Sequence, residues 1–242
     1  MYHPRLEAQI SKDPLDHPEV RELFRTLLQT LLNESGRGAI LIGTAHVDNH
    51  LRALFEVILP ASHGKKKRQS LLSYPGALSS FSARIELAYV LRLIPRVTYD
   101  ALHALRQVRN DLAHSPDSFD IHEQQERLQR MYSLGPDMPR AVKRMAMEAL
   151  FEYKTRVAAD TARRIAEENP DWSLPPLETK HDFSNYAMEH PEVMQAMERQ
   201  LPLWELAHGV TLLCSMIVHQ KDKLRSLLAG DMLLSHLQRP AE

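Results

Sequence analysis

The strongest constraint on this chain is how rarely it is interrupted. Only 8 glycines and 15 prolines punctuate it, and the prolines gather between long stretches rich in Leu, Ala, Glu, Arg and Met, residues that lose little on entering a helix. Alternating apolar and polar runs, and the Asn-Gly or Asp-Gly turns that would join them as hairpins, are missing from the sequence. No Gly-rich turn follows a strand-like run, so Rossmann and P-loop nucleotide sites are excluded as well. The fold class predicted is all-α.

Apolar periodicity places the helices. Pro18 sits where a first helical turn tolerates proline, and Val20, Leu23, Leu27, Leu28 and Leu31 recur at three- and four-residue steps. A second helix is predicted from about Ala39 to Leu59 and is stopped by Pro60. The stretch from Ala61 to Gly76 carries Gly64, Pro75 and a run of four cations, and reads as an exposed connection. A helix is expected from about Ser79 to Leu93. Another starts near Thr98, buries Leu102, Leu105, Val108 and Leu112, and ends at or near His114 because Pro116 disfavours helical geometry before it. Asp120 and Glu123 match a capping box for a short helix through Leu128 to Met131. A long helix follows from about Arg140 to Glu168. After an irregular segment marked by Pro170, Pro175 and Pro176, a helical stretch broken at Pro202 is expected, Glu192 to Gln200 and then Leu203 to Leu228.

With no flexible linker and no repeat, the 242 residues read as a single helical domain. A motif-bearing core spans about residues 18–132, and a long helix and C-terminal helices over about 137–238 pack on it.

Thirty Lys+Arg against 31 Asp+Glu leave a formal charge of -1, so no global field draws the chain to nucleic acid or to an anionic membrane. Any such contact must be local. A lone Cys214 excludes an intrachain disulfide and a multi-cysteine zinc site. No uninterrupted apolar run approaches the roughly 18 residues of a membrane span, and Met1 to Ala8 lacks the apolar core of an export signal. The expected location is the cytoplasm.

The stretch richest in chemistry is Gln107-Val108-Arg109-Asn110-Asp111-Leu112-Ala113-His114. Arginine can clamp a phosphate through two parallel hydrogen bonds, asparagine can hold an orienting contact, and histidine can move a proton near neutral pH. Together they suit phosphodiester cleavage. On an ideal helix, however, positions five apart differ by about 140°, so Arg109 and His114 do not share a face. Either the last turn relaxes before Pro116, or a second chain brings its own pair across a two-fold axis. A plainer reading has Arg109 and Asp111 in surface ion pairs and His114 capping its helix end.

The Arg-Asn-x-x-x-His arrangement resembles the R-x4-H type of motif of HEPN helical domains. More broadly, Pro75-Gly76-Ala77-Leu78, Ser82-Ala83-Arg84-Ile85-Glu86-Leu87-Ala88-Tyr89, Leu93-Ile94 and the Arg109 to His114 block are similar, in this order, to the mannitol operon repressor (MtlR) family. Arg37-Gly38-Ala39-Ile40-Leu41-Ile42 and the apolar helix around Leu212 to Leu224 extend the likeness, which is best over Leu31 to Ser115; the chain is longer between Met131 and Pro191. The resemblance implies a HEPN-like up-and-down bundle with additional C-terminal helices, acting as a homodimer.

From the HEPN side it implies a metal-independent RNA endonuclease of toxin or defence type, without a cofactor, with Arg109 and His114 essential and Asn110 supporting. RNA is then a partner, and an inhibiting antitoxin another. From the repressor side it implies a non-enzymatic transcriptional regulator acting through a protein partner. No helix-turn-helix with a basic recognition helix can be placed, which argues against direct DNA reading.

Other residues carry weaker signals. Lys65, Lys66, Lys67 and Arg68 form either a solvated loop or a contact that tracks an RNA backbone, although aromatic stacking partners are absent beside them. His46 and His50 have a helical spacing that ligates zinc when a third ligand converges, but no such ligand pattern accompanies them and no metal site is assigned. Arg84 is expected to pair with a carboxylate and fix helix packing. The helical spacing of Met145, Met147, Met188, Met194 and Met197 points to core, and Trp172 and Trp204 to anchors of the irregular segment.

Overall fold

The structure is a computed structural model. It describes the backbone of residues 13–114, 119–169 and 179–237, and within these the side chains of all but 61, 113, 114 and 231–237. The chain is 83% helical, with nine α-helices and no strand among the described residues.

Local signals start the helices where the sequence places them. Helix α1, Pro18–Leu31, opens with proline at its first position and buries Val20, Leu23, Leu27 and Leu31 along one stripe. Helix α2, Gly36–Ile58, begins at Ser35, whose Oγ accepts from the Gly38 N–H at 3.1 Å. It buries eight residues from Ala39 to Phe55 and stops before Pro60. Helix α4 (Phe81–Val90) is capped in the same way by Ser80. Arg92, at φ 57°, turns the chain toward helix α5 (Arg96–His114).

The connection expected between Ala61 and Gly76 is instead a 3-10 turn, Ala61–His63, and helix α3, Gly64–Leu72. The correction has a simple cause. Lys65 to Leu72 contains no proline, glycine or β-branched residue, and Gly64 takes the left-handed φ of 67° at the junction without penalty. Helix α6 (Gln125–Tyr132) also departs from expectation. The Asp120–Glu123 capping box does not form; Asp120 Oδ1 accepts from the His122 N–H at 2.9 Å in the preceding turn.

Helix α7 (Met138–Glu168) and helix α8 (Lys180–Glu189) lead to helix α9, Pro191–Leu237. At 47 residues α9 is about 70 Å long. It does not break at Pro202. That proline removes the N–H that would bond the Glu198 carbonyl, but Leu201, Pro202 and Trp204 are all buried, and packing holds the helix through the gap. In the turn before it, the Arg199 carbonyl also accepts from His122 Nε2 at 3.2 Å.

Helix α9 runs through both apolar clusters. Leu206, Val210, Leu213, Cys214 and Ile217 pack into the main core with α1, α2, α4, α5 and α6, whereas Met197, Leu201 and Trp204 join Ala146, Leu150, Phe183 and Ala187 in a second cluster. By length and hydropathy α9 has the dimensions of a membrane span, yet 83% of that apolar window is buried inside the fold. Of the methionines expected in the core, Met197 is buried, but Met145 and Met188 are exposed. Trp204 is fully buried; Trp172 lies outside the described residues.

Candidate functional site

The helical spacing of α5 puts His103, Arg106 and Asn110 on one stripe, with Arg109 beside it. Arg109 is exposed, and its Nη1 donates to Asn110 Oδ1 at 3.2 Å. Arg106, Arg109 and Asn110 open onto a cleft of about 450 Å3. Its opposite walls are Leu41, Thr44, Ala45 and Asp48 of α2 and the segment Ser79 to Ser82 at the start of α4.

Among the described residues one carboxylate, Asp48, faces this cleft, and it is already engaged. Arg84 Nε donates to Asp48 Oδ1 at 2.8 Å and Nη2 to Oδ2 at 2.6 Å, while Nη1 donates to the Leu78 carbonyl. This confirms the packing role expected of Arg84. It also means that Asp48 is neutralised from beneath, so the guanidiniums of Arg106 and Arg109 are not cancelled by it. The α4 N-terminus, with its N–H groups and partial positive charge, adds to the same sign of field. The arrangement favours an anion with several acceptor oxygens.

Arg106 is the residue that the sequence reading missed. Its Nη2 donates to His103 Nδ1 at 3.3 Å, and its Nε is buried with no hydrogen-bond partner. His103 Nε2 in turn lies 3.0 Å from Glu86 Oε1, too far off line for a hydrogen bond, and the Tyr99 hydroxyl donates to Glu86 Oε2 at 3.1 Å. The signal was present: Arg106 stands three residues before Arg109, one helical turn along the same edge. Its inward direction depends on where α4 packs, and that no spacing reveals.

The other predicted residues fall as follows. The α5 backbone stays helical through His114, so the last turn does not unwind and positions 109 and 114 remain about 140° apart. The His114 side chain lies outside the described residues. Asp111 pairs with Arg127 at 2.6 Å across the α5–α6 contact, as the plainer reading of the motif expects for Asp111, whereas Arg109 pairs with no carboxylate among the described residues. Lys65, Lys66 and Lys67 are exposed on α3, Arg68 is half-buried, and none of the four lines the cleft.

His50 hydrogen-bonds the His46 carbonyl through Nδ1 at 2.8 Å, and its Nε2 lies 3.5 Å from Glu19. Burial, helped by His50, lowers the pKa of His46. Among the described residues no group of three or more His, Cys, Asp or Glu is placed to hold a metal ion. Burial pushes the Cys214 thiol well above its ordinary range, which leaves it unreactive.

No protein-family model, no curated protein and no solved structure matches the chain.

Proposed function

We propose that the cleft binds a phosphodiester and that the chain is a HEPN-like, dimeric RNA endonuclease related to the mannitol operon repressor family. The observation that carries this reading is the convergence of Arg106, Arg109 and Asn110 on one open cleft, whose one carboxylate among the described residues is held by Arg84. In this scheme Arg109 and Arg106 bind the scissile phosphate and stabilise the charge of the phosphorane, and Asn110 orients Arg109 through the observed hydrogen bond. His114 accepts the proton of the RNA 2'-hydroxyl as that oxygen attacks phosphorus. The P–O5' bond then breaks, leaving a 2',3'-cyclic phosphate and, once protonated, a 5'-hydroxyl. The 140° between positions 109 and 114 supports an arrangement in which a two-fold mate supplies the histidine.

The test incubates purified full-length dimer with matched RNA and DNA in EDTA, beside Arg109→Ala, Asn110→Ala and His114→Ala. RNA alone is cut, because deoxyribose lacks the attacking hydroxyl. The His114 variant loses about 100- to 10,000-fold in rate and the Arg109 variant about 100- to 1,000-fold. A folded dimer that leaves RNA intact overturns the nuclease reading.

One observation favours the regulator instead. Val90 and Leu91, at the end of α4, are 70% and 53% exposed, an apolar corner suited to a protein contact. That reading predicts loss of partner binding in Val90→Asp, with Arg109→Ala silent.

A further inference from the structure

A second cavity, of about 300 Å3, lies between α1, α7 and the middle of α9, lined by none of the residues of the cleft described above. Val20 and Phe24 of α1, Val142 and Met145 of α7, and Leu212 of α9 make its wall apolar. Two polar side chains of α9 break that wall, Thr211, whose hydroxyl donates to the Ala207 carbonyl at 2.8 Å and so offers no free donor, and His208. The His208 Nδ1 lies 2.8 Å from the Trp204 carbonyl, and because a carbonyl only accepts, Nδ1 carries the proton. The neutral ring therefore presents Nε2 as an acceptor, and no described residue donates to it. The Phe24 ring, 4.6 Å away between centroids, holds the imidazole in place. Burial lowers the pKa of His208, which keeps the ring neutral at pH 7.

This combination defines a ligand. An apolar cavity with a few oriented polar groups, here one of them an unengaged acceptor, is the usual construction of a small-molecule site. Arg21 also reaches the cavity but donates to Asp16 at 2.6 Å, so an anion finds no unengaged cation there among the described residues. A polypeptide backbone laid into the cavity would bring several N–H and C=O groups that these walls leave unsatisfied. The volume equals that of about ten water molecules in the liquid, which suits a molecule of about ten to twelve non-hydrogen atoms. We propose that this cavity binds a small, uncharged, mostly apolar molecule carrying one hydroxyl, which donates its hydrogen bond to His208 Nε2. The ligand bridges α1, α7 and α9, the helices that join the two apolar clusters.

The experiment titrates the full-length chain at pH 7 by calorimetry with 2-naphthol and with 2-methoxynaphthalene, which keeps the rings and lacks the donor. 2-Naphthol binds about three- to tenfold more tightly, the range expected of one neutral hydrogen bond. In His208→Leu the two probes bind equally. Met145→Trp, a substitution at an exposed lip of the cavity, abolishes both. Equal binding of the probes to the unaltered chain, binding that survives Met145→Trp, or no saturable binding of either probe overturns the proposal. The probe pair is compared on the native sequence, so a poorly folded His208→Leu does not rescue it.

Discussion

Arg84 on α4 and Asp48 on α2, thirty-six residues apart in sequence, face each other with two parallel hydrogen bonds of 2.8 and 2.6 Å. The Arg84 side chain is nearly inaccessible, at 6% exposure, and the Asp48 side chain is more open, at 27%. Removing the carboxylate strands a buried cation, a larger loss than the pair itself is worth. Asp48→Ala should cost about 3 kcal/mol, read as a lower urea midpoint at unchanged slope. Arg84→Lys should also destabilise, because an ammonium reproduces neither the bidentate fork on Asp48 nor, at the same time, the bond to the Leu78 carbonyl.

Gly209 offers a test of close packing. In an exposed helix interior, glycine to alanine gains about 1 kcal/mol. Here an added Cβ would overlap Cδ1 and Cε1 of the Tyr132 ring and meet Met131 Cε at 3.0 Å. Tyr132 and Met131 are fully buried and have no room to yield. Overpacking therefore outweighs propensity, and Gly209→Ala should destabilise by about 2 kcal/mol in thermal or chemical unfolding.

The cleft arginines should behave in the opposite way. Arg109 is exposed and, among the described residues, bonded only to its neighbour Asn110, so Arg109→Ala should change stability by less than about 0.5 kcal/mol. If it contacts phosphate, RNA affinity falls, and the slope of log affinity against log salt becomes shallower by about 0.7 for a single strand. A salt slope unchanged in both Arg109→Ala and Arg106→Ala would remove the cleft from the RNA path.

What the sequence made legible follows a physical line. Apolar stripes such as Val20, Leu23, Leu27 and Leu31 declare their helices because burial repeats with the helical period. Arg109 and Asn110 were legible for the same reason, as neighbours on one helix. What escaped was decided between helices. Pro202 reads as a break, yet packing around Trp204 and Leu201 holds α9 together; Arg106 reads as one cation among many until α2 and α4 close a cleft over it. Lys65 to Arg68 read as a loop because charge suggested solvent, and solvent exposure is compatible with a helix.

Two glutamates, Glu19 at the surface and Glu205 in the core, should respond to pH with opposite signs. Burial raises the Glu19 carboxyl, but the hydrogen bonds and charge of Lys221, with His50 and His17 adding to them, outweigh burial and leave its pKa below the ordinary 4.5. Glu205, inside α9, is raised by burial against the weaker pull of Lys143 and Gln125. A depressed carboxylate contributes stability above its unfolded pKa and loses it as pH falls through the folded value. A raised one does the reverse. Glu19→Gln should therefore destabilise at pH 7, by about 1 kcal/mol because Glu19 is 43% exposed and solvent screens the pair, and the gap from the parent should close as pH drops below 4.5. Glu205→Gln mimics the protonated acid, so it should stabilise at pH 7, and that gain should also vanish below 4.5. Urea midpoints of the three chains at pH 7 and pH 3 check both signs: a Glu19→Gln that stabilises at pH 7 would show that Lys221 does not govern Glu19, and a Glu205→Gln that destabilises there would show that burial does not govern Glu205.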